Sequence, residues 1–215
     1  MLALILAAHL SVAEPQTVTL EPTDDIWVYP HASDPSKDPF LRVWGAEGKS
    51  VAPAAEELEE FSYSYLKFNF KALPKGKIEE AKLILTSIAD PGYTADYAKD
   101  NPIEARSLRA DFAEKTWEYD IARTLGPGSG GKAVYGTGYP EKWPTGKPFP
   151  ITLDLLKGPA DFRADVEKAR GEDFAIALTS TDDVATMGNT AVYKVYSKDA
   201  DKKEYHPVLR IKVQP

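Results

Sequence analysis

The chain has 215 residues, 43% apolar and 27% charged, so it can build a core and is not disordered by composition. Its 33 acidic residues outnumber 26 basic ones, for a net charge of −7, which argues against general nucleic-acid binding while allowing a local basic patch. The absence of cysteine excludes disulfides, thiolate nucleophiles and Cys-ligated zinc.

The first thirteen residues, MLALILAAHLSVA, read as a signal peptide. Leu2 to Leu10 is apolar apart from His9, and Ser11-Val12-Ala13 supplies the small residues of a cleavage site. The run is short of the roughly 20 apolar residues a bilayer span needs, so no transmembrane segment is expected. The alternative is a buried N-terminal strand. Residues 14–23 form a lead-in, and 24–215 read as one β-sandwich domain.

DDIWVYP (24–30) predicts a short strand rich in aromatic and β-branched residues. After a loop punctuated by Asp-Pro pairs, FLRVWG (40–45) predicts another, with Leu41 and Val43 on one face and Arg42 and Trp44 on the other. Residues 46–60 are loop, with AAEELEE allowing a helical turn or two. FSYSYLKFNF (61–70) alternates most clearly, placing Leu66, Phe68 and Phe70 together and Tyr65, Lys67 and Asn69 opposite. A turn at 73–77 leads to IEEAKLILTSI (78–88), whose second half is apolar on both faces and predicts a strand covered on both sides.

Residues 89–145 carry weaker signals: a turn-rich DPGYTADYAKDNP, a strand candidate in EARSLRADF and a polar stretch around Trp117. Residues 126–148 read as a long Gly/Pro-rich loop, a kind that is often functional. FPITLDLL (149–156) predicts a strand. GPADFRADVEKARG (158–171) predicts the one helix, with Pro159 at its first position and Gly171 at its stop. DFAIALTS, AVYKVYS and PVLRIKV complete the set. Eight to ten strands with one short helix predict an all-β antiparallel sandwich or jelly roll.

No catalytic constellation emerges. The histidines are His9, His31 and His206, and none sits in a nucleophile or zinc motif. GPGSGG lacks the GK[ST] of a phosphate loop. The protein is therefore expected not to be an enzyme. Paired carboxylates are abundant, and most read as solvated surface. Asp24, Asp25 and Asp154, at strand edges, are the candidates for a structural Ca²⁺, a hard ion taking about 6–8 oxygens. Aromatic faces stack on sugars, which draws attention to Trp27, Trp44, Trp117 and Trp143, although each tryptophan also suits core packing. Trp143 and Tyr139, inside the Gly/Pro-rich segment, are the ones expected to be exposed. Arg42, Lys67, Lys82, Arg210 and Lys212 stand out of phase with, or beside, an apolar alternation. Neighbouring strands would join them into a basic stripe suited to carboxylates or sulfates. An ordinary charged outer face is the other reading.

Several segments, taken in order, resemble the DNRLRE-type domain, also classed as carbohydrate-binding module family 96. They are DDIWVYPHASDPSKDPFLRVWG, YLKFNFKALPKGKIEEAKLIL, DFAEKTW, LDLLKGPADFRADVEKARG and YSKDADKKEYHPVLRIKV, spanning residues 24 to 213. The resemblance implies a secreted or cell-surface jelly-roll sandwich that binds glycans without catalysis, acidic polysaccharides being the ligand class. Arg42, Lys67 and Arg210 fall on its matching strand positions. Lys212, Trp143 and Tyr139 join them as expected ligand-binding residues from the reading of the residues themselves. The alternative is a structural or adhesive subunit of an extracellular assembly, binding protein or itself.

Overall fold

A computed structural model of the chain describes residues 14–29, 35–45, 61–116, 125, 127, 131–180 and 193–215. The expected leader at 1–13, His31, the turn or two expected in AAEELEE, and Trp117 lie outside the described residues.

Eleven strands carry the described fold. They are β1 (Gln16–Leu20), β2 (Asp24–Val28), β3 (Phe40–Gly45), β4 (Phe61–Asn69), β5 (Lys77–Ser87), β6 (Ile103–Leu108), β7 (Val134–Gly138), β8 (Phe149–Asp154), β9 (Asp173–Ser180), β10 (Tyr193–Tyr196) and β11 (Val208–Gln214). Two helices accompany them among the described residues, α1 (Ala95–Asp100) and α2 (Phe162–Lys168). All pairings are antiparallel. The all-β sandwich that the period-2 alternation predicts is what forms.

The long strand β5 organises a first sheet. It pairs with β11 over its first half and with β8 over its second, while β1 lies outside β11. Past the end of β11, β10 continues the same edge and carries β3. The second sheet runs β2–β4–β9–β6–β7. Strand β3 joins the two sheets, pairing with β10 through residues 40–43 and with β4 through 44–45.

Alternation decides what lies between the sheets. Leu83, Leu85, Leu209, Ile211, Ile151, Leu153, Leu41 and Val43 point inward from the first sheet. Leu66, Phe68, Ile176, Leu178 and Ile103 meet them from the second. Each such side chain contributes about 1.5–3 kcal/mol by leaving water.

The second sheet is buried on its other face as well. Ile26, Val28, Tyr63, Tyr65, Ala175 and Ala177 form a second cluster there with Phe112 and Leu125. The chain after β6 lies across this face, which explains why FAIAL (174–178) is apolar on both faces. On the same strands Arg106 is buried, with Glu104 and Thr179 accepting from its guanidinium. The expectation that β5 is covered on both faces fails: Ile84 and Thr86 are only half-buried on its outer side, where no second cluster packs among the described residues.

Three elements differ from the sequence reading. The lead-in contains β1, whose Val18 sits opposite Ile211. The turn-rich stretch near residue 95 contains α1, whose N-cap Thr94 accepts from the Tyr97 N–H at 3.2 Å. The helix expected over 158–171 covers only Phe162–Lys168. Its predicted first turn is spent otherwise: Gly158 and Ala160 donate their N–H groups to Tyr135 and Val134 of β7. Asp161 then caps the helix through Ala164 N–H at 3.1 Å.

The Gly/Pro-rich stretch is not all loop either. VYGTG forms β7, and its free edge lies against β8. A Cβ on Gly136 would fall 2.1 Å from the Asp154 carbonyl oxygen, and one on Gly138 would fall 2.6 Å from that of Thr152. These glycines therefore let two backbones from different sheets meet.

Candidate functional site

The outer face of the first sheet gathers several of the expected bases. Register places Thr19 opposite Arg210, Arg210 opposite Lys82 and Lys82 opposite Asp154, so the four make one row across β1, β11, β5 and β8. Lys212 lies alongside, 3.2 Å from Glu79 and 3.8 Å from Glu80, and Lys82 sits 3.5 Å from Glu80. The acids neutralise much of the row. Arg210 is exposed and forms no ion pair among the described residues.

Lys67 is not part of this face. Strand β4 is central in the second sheet, and the covering segment closes over it, leaving Lys67 buried. Its ammonium lies 3.0 Å from Asp24, donates to the Phe112 carbonyl and stands 4.9 Å from the Phe112 ring centroid. Lys67, expected among the ligand-binding residues, is instead buried and holds Asp24 and the Phe112 carbonyl.

Trp143 and Tyr139, expected to be exposed, are only partly so. Trp143 stacks on Phe149 at 5.2 Å and 14°, meets Tyr93 edge-on at 5.7 Å, and is half-buried. Tyr139 is half-buried against the same core. Both peg the segment after β7 to the sandwich instead of standing free, since their apolar faces find partners there.

A different grouping forms where β3 passes between the sheets. The Arg42 guanidinium lies 4.9 Å from the Trp27 ring centroid. Tyr29 stacks with Trp27 at 6.0 Å and tilts against Trp44 at 5.2 Å. Trp27 is 7% exposed and Trp44 8% exposed, yet Nε1 of each is buried without an acceptor among the described residues, as is Nε of Arg42. Three N–H donors lacking partners in one aromatic neighbourhood is unusual, because each such group costs about 1–3 kcal/mol. The only ion pair of Arg42 among the described residues is a loose one, 3.6 Å from Asp38.

The same strand pair extends this surface. Lys194 lies directly opposite Arg42, and Tyr196 opposite Phe40. The Lys194 ammonium sits 4.2 Å from the Phe40 centroid. Burial, with the Arg42 charge beside it, holds Lys194 below the usual lysine range. Tyr196 rests against Tyr205 at 4.7 Å, and Lys202 lies 5.2 Å from that ring. The alternation in FLRVWG already places Phe40, Arg42 and Trp44 on one side. The contribution of Tyr29, Lys194 and Tyr196 comes only from the pairing of distant strands.

An acidic corner lies at the start of β2. Asp25 is 2% exposed; its Oδ2 accepts the Lys198 N–H at 2.7 Å, and its Oδ1 has no partner among the described residues. Glu114, in the turn at Glu114–Thr116, accepts the Asp25 N–H at 3.2 Å. The Lys198 ammonium reaches Glu114 at 2.8 Å and Asp199 at 3.1 Å. One oxygen from each of Asp25, Glu114 and Asp199 lies within 4.8 Å of the others. Burial pushes Asp25 up to about 7 against the pull of Lys198, and burial likewise raises Glu114. Asp24 goes the other way: burial opposes its ionisation, but the Glu114 N–H and the Lys67 ammonium outweigh that and lower it.

Of the expected metal ligands, Asp25 alone belongs to this cluster. Asp24 is committed to Lys67 and to the Glu114 N–H. Asp154 stands on β8 in the other sheet, opposite Lys82, and accepts from Leu156 N–H, so the expected Asp24–Asp25–Asp154 grouping does not form. Glu114 and Asp199 escape sequence reasoning because they reach Asp25 from far along the chain. No family model matches the chain, and no curated protein sequence matches it.

Proposed function

We propose that the protein is a secreted, non-catalytic carbohydrate-binding domain whose ligand docks along β3 and β10, with acidic polysaccharides as the ligand class. One observation carries this reading: Arg42 and Lys194, directly opposite on β3 and β10, are half-exposed cations beside the half-exposed rings of Phe40 and Tyr196. A sugar offers the complementary chemistry. Its C–H faces rest on aromatic rings, and its hydroxyl and carboxylate oxygens accept hydrogen bonds. Arg42 suits a uronate in particular, since a guanidinium holds a carboxylate with two parallel bonds. Lys194, opposite Arg42, adds a second positive charge at the same place. The resemblance of the ordered strand motifs to the DNRLRE-type domain points the same way. The reading assigns no catalytic residue.

Affinity electrophoresis in gels containing uronate-rich or neutral polysaccharides tests this. Uronate polymers should retard the protein, and salt should weaken the retardation because the charges are partly exposed. Arg42→Ala should abolish it, while Lys71→Ala, a surface charge control, should not change it. Free migration through every polymer would overturn the proposal.

A second reading, a structural or adhesive subunit, draws on β1. This strand pairs only with β11 among the described residues, and Thr17 and Thr19 on it are exposed. Its outer edge is an available template for another strand. Concentration-dependent oligomers in light scattering, lost on Thr17→Pro, would favour that reading; a strict monomer would remove it.

A further inference from the structure

We propose that Asp25, Glu114 and Asp199 bind a hard divalent cation with the size and chemistry of Ca²⁺, and that the ion fastens the segment covering the second sheet to β2 and to the turn after β10.

The donor set is all oxygen, with one carboxylate from each of three chain segments. Ca²⁺ holds oxygens at about 2.3–2.6 Å, so two ligands on opposite sides of one ion lie about 5 Å apart. The mutual separation here, within 4.8 Å, meets that limit. A second observation points to a ligand independently of the clustering. Asp25 is almost wholly buried, and its Oδ1 has no hydrogen-bond partner among the described residues. A buried carboxylate oxygen without a partner is costly, and a cation supplies what is missing.

Charge balance agrees. Asp24, Asp25, Glu114 and Asp199 are four carboxylates, whereas Lys67 and Lys198 are two ammonium groups in contact with them. Two negative charges are left over when all are ionised, which one divalent ion offsets. Asp199 is exposed, so water has access to complete the coordination from that side. Lys198 already bridges Glu114 and Asp199 through a long side chain, and the cation competes with it for those oxygens.

The consequence is mechanical. Glu114 belongs to the chain that carries Phe112 over the outer side of β4 and β9. Its backbone N–H is held by Asp24, and its carboxylate faces Asp25. An ion at this point ties the cover to the first residues of β2 and to Asp199. The proposal is independent of the glycan reading, and its test uses no polysaccharide.

The full chain, stripped with EDTA and desalted, is titrated with Ca²⁺ by calorimetry and followed by thermal unfolding. Saturable one-to-one binding is expected, with a Tm rise of about 5 °C or more at a hundredfold excess over Kd. Asp199→Asn, on an exposed residue that the fold tolerates, should weaken binding about tenfold or more, and Asp25→Asn should do at least as much. Lys198→Ala, which removes the competing ammonium, should tighten binding. Several outcomes overturn the proposal. They are no binding by the wild-type chain, Ca²⁺ binding unaffected by both carboxylate variants, or tight Mg²⁺ binding in place of Ca²⁺.

Discussion

Replacing Gly136 by alanine tests whether the edge of β7 closes against β8. The added Cβ would lie 2.1 Å from the Asp154 carbonyl oxygen and 2.8 Å from its carbonyl carbon. Comfortable carbon contacts begin near 3.5 Å, so the two backbones must separate by about 1 Å or more. Asp154 is not free to retreat. It ends β8 in register with Lys82, and the next residue, Leu155, donates its N–H to Ala81 at 2.9 Å. Overpacking alone costs about 1–3 kcal/mol, and loosening one strand hydrogen bond adds about 1. A total of about 3 kcal/mol corresponds to a Tm loss of about 6–12 °C for a domain of this size. Gly131→Ala is the control, because nothing lies within 4 Å of the Cβ it would add. It should stay within about 0.5 kcal/mol of wild type. Urea and thermal unfolding followed by circular dichroism give both numbers. If Gly136→Ala melts with the wild-type protein, the close contact between β7 and β8 is refuted.

Lys67→Ala should lower stability by about 3 kcal/mol, since it leaves Asp24 and the Phe112 carbonyl without their cation, and it should leave polysaccharide retardation unchanged. Lost retardation with an unaltered melting curve would return Lys67 to the ligand face. Trp143→Ala should cost about 2 kcal/mol through its lost packing on Phe149 and Tyr93, again without touching retardation. In EDTA, Asp25 makes stability fall with rising pH. Its folded value, about 7, stands above the ordinary 3.8, so the folded chain binds this proton more tightly. Its contribution is complete below 3.8 and declines as pH climbs to 7. Asp25→Asn should flatten that slope, a difference of at most about 4 kcal/mol at neutral pH; parallel pH profiles for the two proteins would contradict the assignment.

Period-2 alternation carried the fold because each strand turns one apolar row into the space between the sheets. Leu66 and Phe68, Leu209 and Ile211, and Ile151 and Leu153 are all where alternation puts them. DFAIALTS reads as doubly buried and is, because the segment bearing Phe112 covers β9. The same signal misleads at Ile84, an apolar residue on an open face, since composition cannot tell a covered face from an uncovered one. Helix α1 is too short for any periodicity to register. Strand β7 hides behind its glycines, which serve contact between sheets, a property of packing and not of local preference.

The candidate sites follow the same division. Arg42 and Trp44 share a face in the sequence pattern, and Asp25 stands out as a strand-edge acid. What completes each site is tertiary. Lys194 meets Arg42 only through the pairing of β10 with β3, and Glu114 and Asp199 meet Asp25 only through the cover and the turn after β10. Lys67 looks surface-exposed in its own strand because the chain that buries it lies 45 residues away.

The most direct measurement of the central claim is the nitrogen–proton NMR spectrum of the tryptophan indoles during titration with uronate oligosaccharides. Binding along β3 predicts that the Nε1–H signals of Trp27 and Trp44 shift saturably as ligand settles on the Arg42 guanidinium, 4.9 Å from the Trp27 ring, while that of Trp143 stays in place. Shifts confined to Trp143, or no indole shift at a ligand concentration that saturates retardation, would contradict it.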